Sequence, residues 1–264
     1  MQKMRKIGIV GCGNLGLSLL NGIRKNDKNA LLYGSKRNPK NLEVIQDELT
    51  IITSDNKALI ENCEIIIIAL KPYNVIPFLK QNANLFNNQQ HTIVSVATGI
   101  TIGEMEECFS EPIDVFRAMP NTASLVNESI TAISFGRDEL NRNQQVTAIF
   151  DSVGESIIID EQLMESATIL GACGIAYVLR FMRAMIQGGI EVGFDSKTAT
   201  KIVSQTVKGA AELIIRNGSH PGQEIDKVTT PKGCTIVGLN EMEHSGFSSA
   251  LIKGIVTSYQ RIEK

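Results

Sequence analysis

Six residues near the N-terminus, Gly11-Cys12-Gly13-Asn14-Leu15-Gly16, spell G-x-G-x-x-G directly behind the β-branched run Lys6-Ile7-Gly8-Ile9-Val10 and directly ahead of an apolar stretch of helical period. No other feature of the chain restricts its fold so tightly. A strand that turns on glycine and feeds a helix opens a βαβ unit. In such a unit the first glycine permits the tight turn, the second lets the backbone approach a pyrophosphate, and the third lets helix and strand pack closely. The helix N-terminus then offers free N–H groups and the positive end of its dipole to an anion. The motif therefore predicts a dinucleotide site built from Gly11, Cys12, Gly13, Asn14, Leu15 and Gly16.

The chain through residue 160 continues the same alternation. Short β-branched runs at 6–10, 30–34, 50–53, 64–70, 92–98, 114–119, 129–135 and 156–160 read as strands. Stretches at 15–25, 55–62, 73–82, 102–109 and 138–151 read as helices. The pattern predicts an α/β protein whose N-terminal domain, residues 1–160, is a Rossmann-like doubly wound sheet. Beyond it, 162–188, 196–217 and 238–262 carry apolar residues at helical spacing, with no convincing alternating strand. Residues 161–264 are thus expected to form an all-helical C-terminal dimerisation and substrate domain. The breaks fall at Gly188-Gly189, Asn217-Gly218-Ser219-His220-Pro221-Gly222 and Thr230-Pro231-Lys232-Gly233, all turn-forming clusters. Its helices at 167–187 and 197–215 are apolar over much of their circumference, so a homodimer or higher homo-oligomer is expected to cover them.

Which dinucleotide is read at the end of the second strand, where an Asp or Glu would bond the ribose hydroxyls of NAD. Here the residues are Ser35, Lys36 and Arg37, a hydroxyl and two cations that suit the 2′-phosphate of NADP, with NAD still possible. Lys+Arg 26 against Asp+Glu 28 leaves no broad basic field, so no nucleic-acid partner is expected. The most continuous apolar run, 65–70, is far short of a membrane span, and five scattered cysteines without a CxxC pair point to a soluble protein of the reducing cytoplasm. His91, His220 and His244 stand in no metal-ligand spacing, and neither a G-x-S-x-G elbow nor a GxxxxGK[ST] loop is present. The chemistry expected is the cofactor's own hydride transfer.

Several blocks extend the reading. Ile9 to Gly16, Ala69-Leu70-Lys71-Pro72, Ser95-Val96-Ala97-Thr98-Gly99-Ile100-Thr101, and Arg117-Ala118-Met119-Pro120-Asn121-Thr122 come first. Ala176-Tyr177-Val178, His220-Pro221-Gly222-Gln223, Val228 to Ile236 and Gly246-Phe247 follow. In these the chain resembles the pyrroline-5-carboxylate reductases over nearly its whole length. The resemblance implies reduction of 1-pyrroline-5-carboxylate, a cyclic imine bearing a carboxylate, to proline by hydride from NAD(P)H, the last step of proline biosynthesis. It implies a cofactor lined also by Asn56, Ala69, Leu70, Lys71 and Pro72. Met119, Pro120 and Asn121 would form a ledge between nicotinamide and imine. Thr230, Gly233 and Cys234 would belong to the loop holding the carboxylate, with Thr235 as proton relay or, equally, as an N-cap for a helix starting near Ile236.

Two stretches depart from the family pattern. Gly171-Ala172-Cys173-Gly174-Ile175 replaces a Ser-Gly-Ser-Gly-Pro run, and Lys232 stands where glycine is usual. An ordinary negative φ is expected at Lys232, since the flanking Thr230, Pro231, Gly233 and Thr235 are retained. Two alternatives stay open: another NADP-dependent two-domain reductase of the β-hydroxyacid dehydrogenase type, and a diverged accessory or regulatory protein with a retained cofactor site.

Overall fold

The structure, a computed structural model, describes residues 5–39 and 45–262. Among these, the strands β1 (Lys6–Val10), β2 (Leu31–Ser35), β3 (Thr50–Thr53), β4 (Ile65–Ile68), β5 (Thr92–Ser95), β6 (Asp114–Met119), β7 (Ser129–Phe135) and β8 (Gly154–Ile158) form one sheet. Their order is β3-β2-β1-β4-β5-β6-β7-β8. The first six are parallel, β7 runs antiparallel to β6, and β8 is parallel to β7. The order reverses between β1 and β4, and this switch opens a crevice at the carboxyl ends of the strands. The expected Rossmann-like α/β architecture is what the chain adopts.

β4 is four isoleucines, all buried, as a central parallel strand covered on both faces requires. Alternation along β1 sends Ile7 and Ile9 to one side, into a core with Leu19, Leu20 and Ile23 of α1 (Asn14–Asn26). Val10, Ile66 and Ile68 face the other, against α2 (Asn56–Asn62), α3 (Pro72–Asn82) and α4 (Ile102–Glu106). A Cβ at Gly8 would lie 2.4 Å from Leu59 Cδ2, so glycine there lets α2 settle on the sheet. The helix α5 (Asn143–Asp151) joins α1's side. It starts five residues later than its pattern predicts, because Asp138 accepts the N–H groups of Arg142 and Asn143 and holds the preceding turn outside the helix.

The sequence divided the chain at 160/161, whereas the structure has compact units of which the first runs to Ile175 and the second is Ala176–Gln260. Residues 161–175 stay with the sheet because their polar and apolar groups are satisfied there: Glu161 and Glu165 pair with Arg117, and Met164 is buried beside Met119. The expected helix at 162–188 is accordingly not uniform. A 3-10 turn (Glu161–Leu163) and α6 (Met164–Ala167) lead into a π turn (Thr168–Cys173), and only then into α7 (Gly174–Glu191).

In the second unit, α8 (Ser196–Asn217), α9 (Pro221–Lys227), α10 (Cys234–His244) and α11 (Phe247–Gln260) follow α7. The cluster 217–222, read as a turn alone, also starts α9. Pro221 takes the first helical position, His220 Nδ1 accepts the Gly222 N–H, and Gln223 Oε1 accepts that of His220. The expected helix 238–262 is broken by Gly246 at φ 78. Tyr177 Oη bonds Ser258 Oγ at 2.8 Å, tying α7 to α11. Yet α7 buries none of its side chains, and Leu179, Phe181, Ile202, Ile215 and Ile252 of the unit are exposed. One helical stretch, Glu161–Glu191, is long and apolar enough by length and composition to cross a membrane, which a search for unbroken apolar runs does not find. Glu161 and Glu165 at its start are ion-paired to Arg117 within the first unit.

Candidate dinucleotide crevice and substrate-side residues

A cavity of about 1280 Å³ lies at the carboxyl ends of β1, β2 and β4. It is lined by every residue of the Gly11 to Gly16 turn, by Ser35, Lys36 and Arg37, and by Asn56, Ala69, Leu70 and Lys71. The sequence-predicted cofactor residues are thereby brought together, apart from Pro72, which starts α3 just outside the lining.

The three glycines of the turn do three different things. Gly11 sits at φ 96, and a Cβ there would lie 2.7 Å from Ala69 O. A Cβ on Gly16 would lie 2.4 Å from Gly11 O, so this glycine closes the helix onto the turn. Gly13 meets nothing within 4 Å; the space beside it faces open cleft and is available to a ligand's phosphates.

The N–H groups divide in the same way. Gly11 and Cys12 donate to Ser35 O, and Gly13 donates to Gly11 O. Asn14, Leu15 and Gly16 form the first turn of α1, where backbone N–H groups have no acceptor within the helix. Free donors at a 13-residue helix's positive end fit a pyrophosphate, so the residues present suit the expected dinucleotide. Cys12 contributes only backbone here: its side chain is buried, its Sγ directed to Ile9 O, and burial pushes the thiol up to about 11.

At the end of β2, Ser35 is buried and donates its hydroxyl proton to Asn56 Oδ1 at 2.6 Å. That proton is not offered to a 2′-phosphate, which leaves the cations of half-buried Lys36 and exposed Arg37 as the groups for one. The sequence reading missed Asn38, Ser54, Asn74 and Tyr73 in the lining. Asn38 could have been found by following the basic loop one residue further. Tyr73 is 76% exposed, and its signal was an aromatic in the first turn of α3 right after Lys71-Pro72.

Of the residues expected to meet the substrate, Met119 and Pro120 are buried at the end of β6, with Thr98 Oγ1 4.0 Å from Met119 Sδ. Asn121 has its amide committed at both ends: Nδ2 donates to Gly171 O at 3.1 Å, and Oδ1 accepts the Ala123 N–H at 2.9 Å.

Thr230, Gly233, Cys234 and Thr235 belong to the second unit. Lys232 adopts φ 61, which overturns the expected negative φ. Pro231 followed by a positive φ, with Gly233 N–H donating to Thr230 O at 2.9 Å, is a type II turn, and its third position demands the left-handed conformation whatever residue occupies it. A Cβ on Gly233 would lie 2.5 Å from Thr230 Oγ1 and 3.0 Å from Thr230 O, so glycine there lets the turn close without displacing Thr230. Gly233 is the N-cap of α10, which begins at Cys234 and not near Ile236. Thr235 therefore lies inside the first turn, exposed, and is not the helix cap; its N–H and that of Cys234 have no intrahelical acceptor.

Two family profiles match the chain: one described as pyrroline-5-carboxylate reductase dimerisation over residues 161–264, and one described as NADP oxidoreductase, coenzyme F420-dependent, over residues 6–99. Pyrroline-5-carboxylate reductase 2 of Dictyostelium discoideum is 38% identical over 100% of this chain and 94% of its own length. Pyrroline-5-carboxylate reductase 1 of the same organism is also 38% identical, over 96% of this chain, which spans only 48% of that longer protein. The crystal structure of the Plasmodium falciparum pyrroline carboxylate reductase with NADP bound superposes with a TM-score of 0.85 at 26% identity, covering 99% of this chain and 97% of that one. With the crevice, the turn and these matches together, the chain belongs to the pyrroline-5-carboxylate reductase family.

Proposed function

We propose that the chain reduces 1-pyrroline-5-carboxylate to proline, taking hydride from NADPH in preference to NADH. The observation that carries the reading is the crevice itself: unengaged N–H groups of Asn14, Leu15 and Gly16 beside an open Gly13, with Lys36 and Arg37 at the end of β2 and, among the described residues, no carboxylate in the lining. The bound cofactor supplies the hydride for the imine carbon. The chain's own residues do the rest. Asn14, Leu15 and Gly16 hold the pyrophosphate, Asn56 faces the ribose with the amide nitrogen that Ser35 leaves free, and Arg37 pairs with the 2′-phosphate. Met119 and Pro120 back the reacting pair. The N–H groups of Cys234 and Thr235, at the positive end of α10, take the substrate carboxylate, and the Thr235 hydroxyl hands a proton to the imine nitrogen.

The protein is further read as a homodimer of the cytoplasm. A second copy would cover the apolar faces of α7, α8 and α11, and all five cysteines are free thiols. The test is a spectrophotometric assay with the cyclic imine and each cofactor. Arg37→Ala should weaken NADPH about tenfold or more, since a charge-assisted contact contributes roughly 1.5–3 kcal/mol, and leave NADH unchanged. Equal loss for both cofactors refutes the role of Arg37, and no turnover of the imine refutes the reaction.

A further inference from the structure

Arg117, Met119 and Asn121 alternate along β6 and its extended continuation, so their side chains fall on one face. Each meets a successive part of the same segment. Arg117, 2% exposed, donates from Nη1 to Glu161 Oε1 and from Nη2 to Glu165 Oε1, both at 3.0 Å. Met119 shares a small apolar core with Met164, with Ala167 and Ala172 packed against it. Asn121 Nδ2 bonds Gly171 O inside the π turn. Glu161 Oε1 also accepts the Ile102 N–H at 2.8 Å, which ties the start of α4 to the same point. Single π turns within helices are frequent at functional sites, and this one approaches the sheet closely: a Cβ on Gly171 would lie 3.3 Å from Ile130 Cγ2.

We propose that Arg117 and Asn121 are positioning residues, which clamp the 161–171 segment and thereby hold the Met119-Pro120 ledge in register for hydride transfer. The inference rests on the reductase reading above, because it assigns the ledge its role. It differs from direct substrate contact: both polar atoms of the Asn121 amide already have protein partners, and the Arg117 guanidinium is buried between two carboxylates. A misplacement of about 1 Å at reacting groups lowers a rate by roughly a hundredfold, so a residue touching neither cofactor nor imine can control turnover from here.

Asn121→Asp keeps the shape and the cap on Ala123 but turns a donor into an acceptor facing Gly171 O. Arg117→Lys keeps the charge but not the two-carboxylate fork. Both variants should lower kcat tenfold or more, with KM for the imine and Kd for NADPH within about threefold. Amide exchange over 161–172 should quicken at least tenfold while that of α1 stays unchanged. Arg117→Met should fall further than Arg117→Lys, the conservative variant restoring part of the loss. A rise in KM alone would assign Asn121 to the substrate and overturn the proposal, as would unchanged kcat in both variants. If Asn121→Asp no longer binds NADPH, Arg117→Lys decides on the same criteria. A wild-type chain that fails to reduce the imine overturns the reductase reading and the positioning role with it; exchange over 161–172 then tests the clamp alone.

Discussion

Replacing Lys232 by glycine should stabilise the protein by about 1 kcal/mol. The left-handed conformation, φ 61 here, costs an L-residue roughly 1–2 kcal/mol that glycine escapes. Glycine loses about 0.4–1 kcal/mol of that gain because its unfolded chain is freer. The lysine also places a cation two residues before the start of α10, where the helix's positive end disfavours it by about 0.3–1 kcal/mol. The net gain corresponds to a rise of roughly 2–4 °C in Tm for a chain of this size. Thermal and urea melts of wild type, Lys232→Gly and Lys232→Ala separate the contributions, since alanine removes the charge but keeps the strained φ. Alanine should therefore gain less than glycine. Reductase activity of Lys232→Gly should stay within about tenfold of wild type, roughly 1.4 kcal/mol in the barrier. A lower Tm for Lys232→Gly, or equal gains for glycine and alanine, would show that φ at this position is not a source of strain. A silent wild type that Lys232→Gly switches on would mark the loop as disabled and favour an accessory protein.

Gly13→Ala and Gly16→Ala should part company. The first adds a methyl to open space and should leave Tm within about 1 °C while weakening NADPH at least tenfold; the second drives a Cβ to 2.4 Å from Gly11 O and should lower both, and matching losses of stability would refute the division of labour. His91 is a pH-sensitive element of the fold. Burial, helped by the Arg142 charge, holds its imidazole below the usual range, and Nδ1 accepts the Asn87 N–H. Its neutral form thus contributes stability above about pH 6.5 that is lost as pH falls below the unfolded value. Urea midpoints at pH 7.5 and 5.5 should drop further in wild type than in His91→Gln, and parallel pH curves would refute the assignment.

The sheet was legible because its signals are local. Four consecutive isoleucines in β4 and the glycine turn after β1 each carry their meaning within a few residues. What escaped depends on contacts distant in sequence. The joint at 161–175 is set by Arg117 some 44 residues earlier, and the engagement of Ser35 by Asn56 across 21 residues. Periodicity cannot show such pairings. Lys232 was misread for a related reason: the residue type argued for a negative φ, while the turn around it, set by Pro231 and the Gly233 N–H, required a positive one.

The buried Arg117 has a consequence for how the chain comes into being. A ribosome releases β1 to β6 well before it makes Glu161 and Glu165, and a guanidinium buried without its carboxylates costs about 3–5 kcal/mol. The first five strands and the helices α1 to α4 precede that segment in the chain, α5 completes the core on α1's side later, and the end of β6 lacks its counter-charges until Glu161 and Glu165 arrive. Until then the cheaper arrangement keeps the Arg117 guanidinium in water, so the end of β6 is expected to close onto 161–165 only once both carboxylates are available.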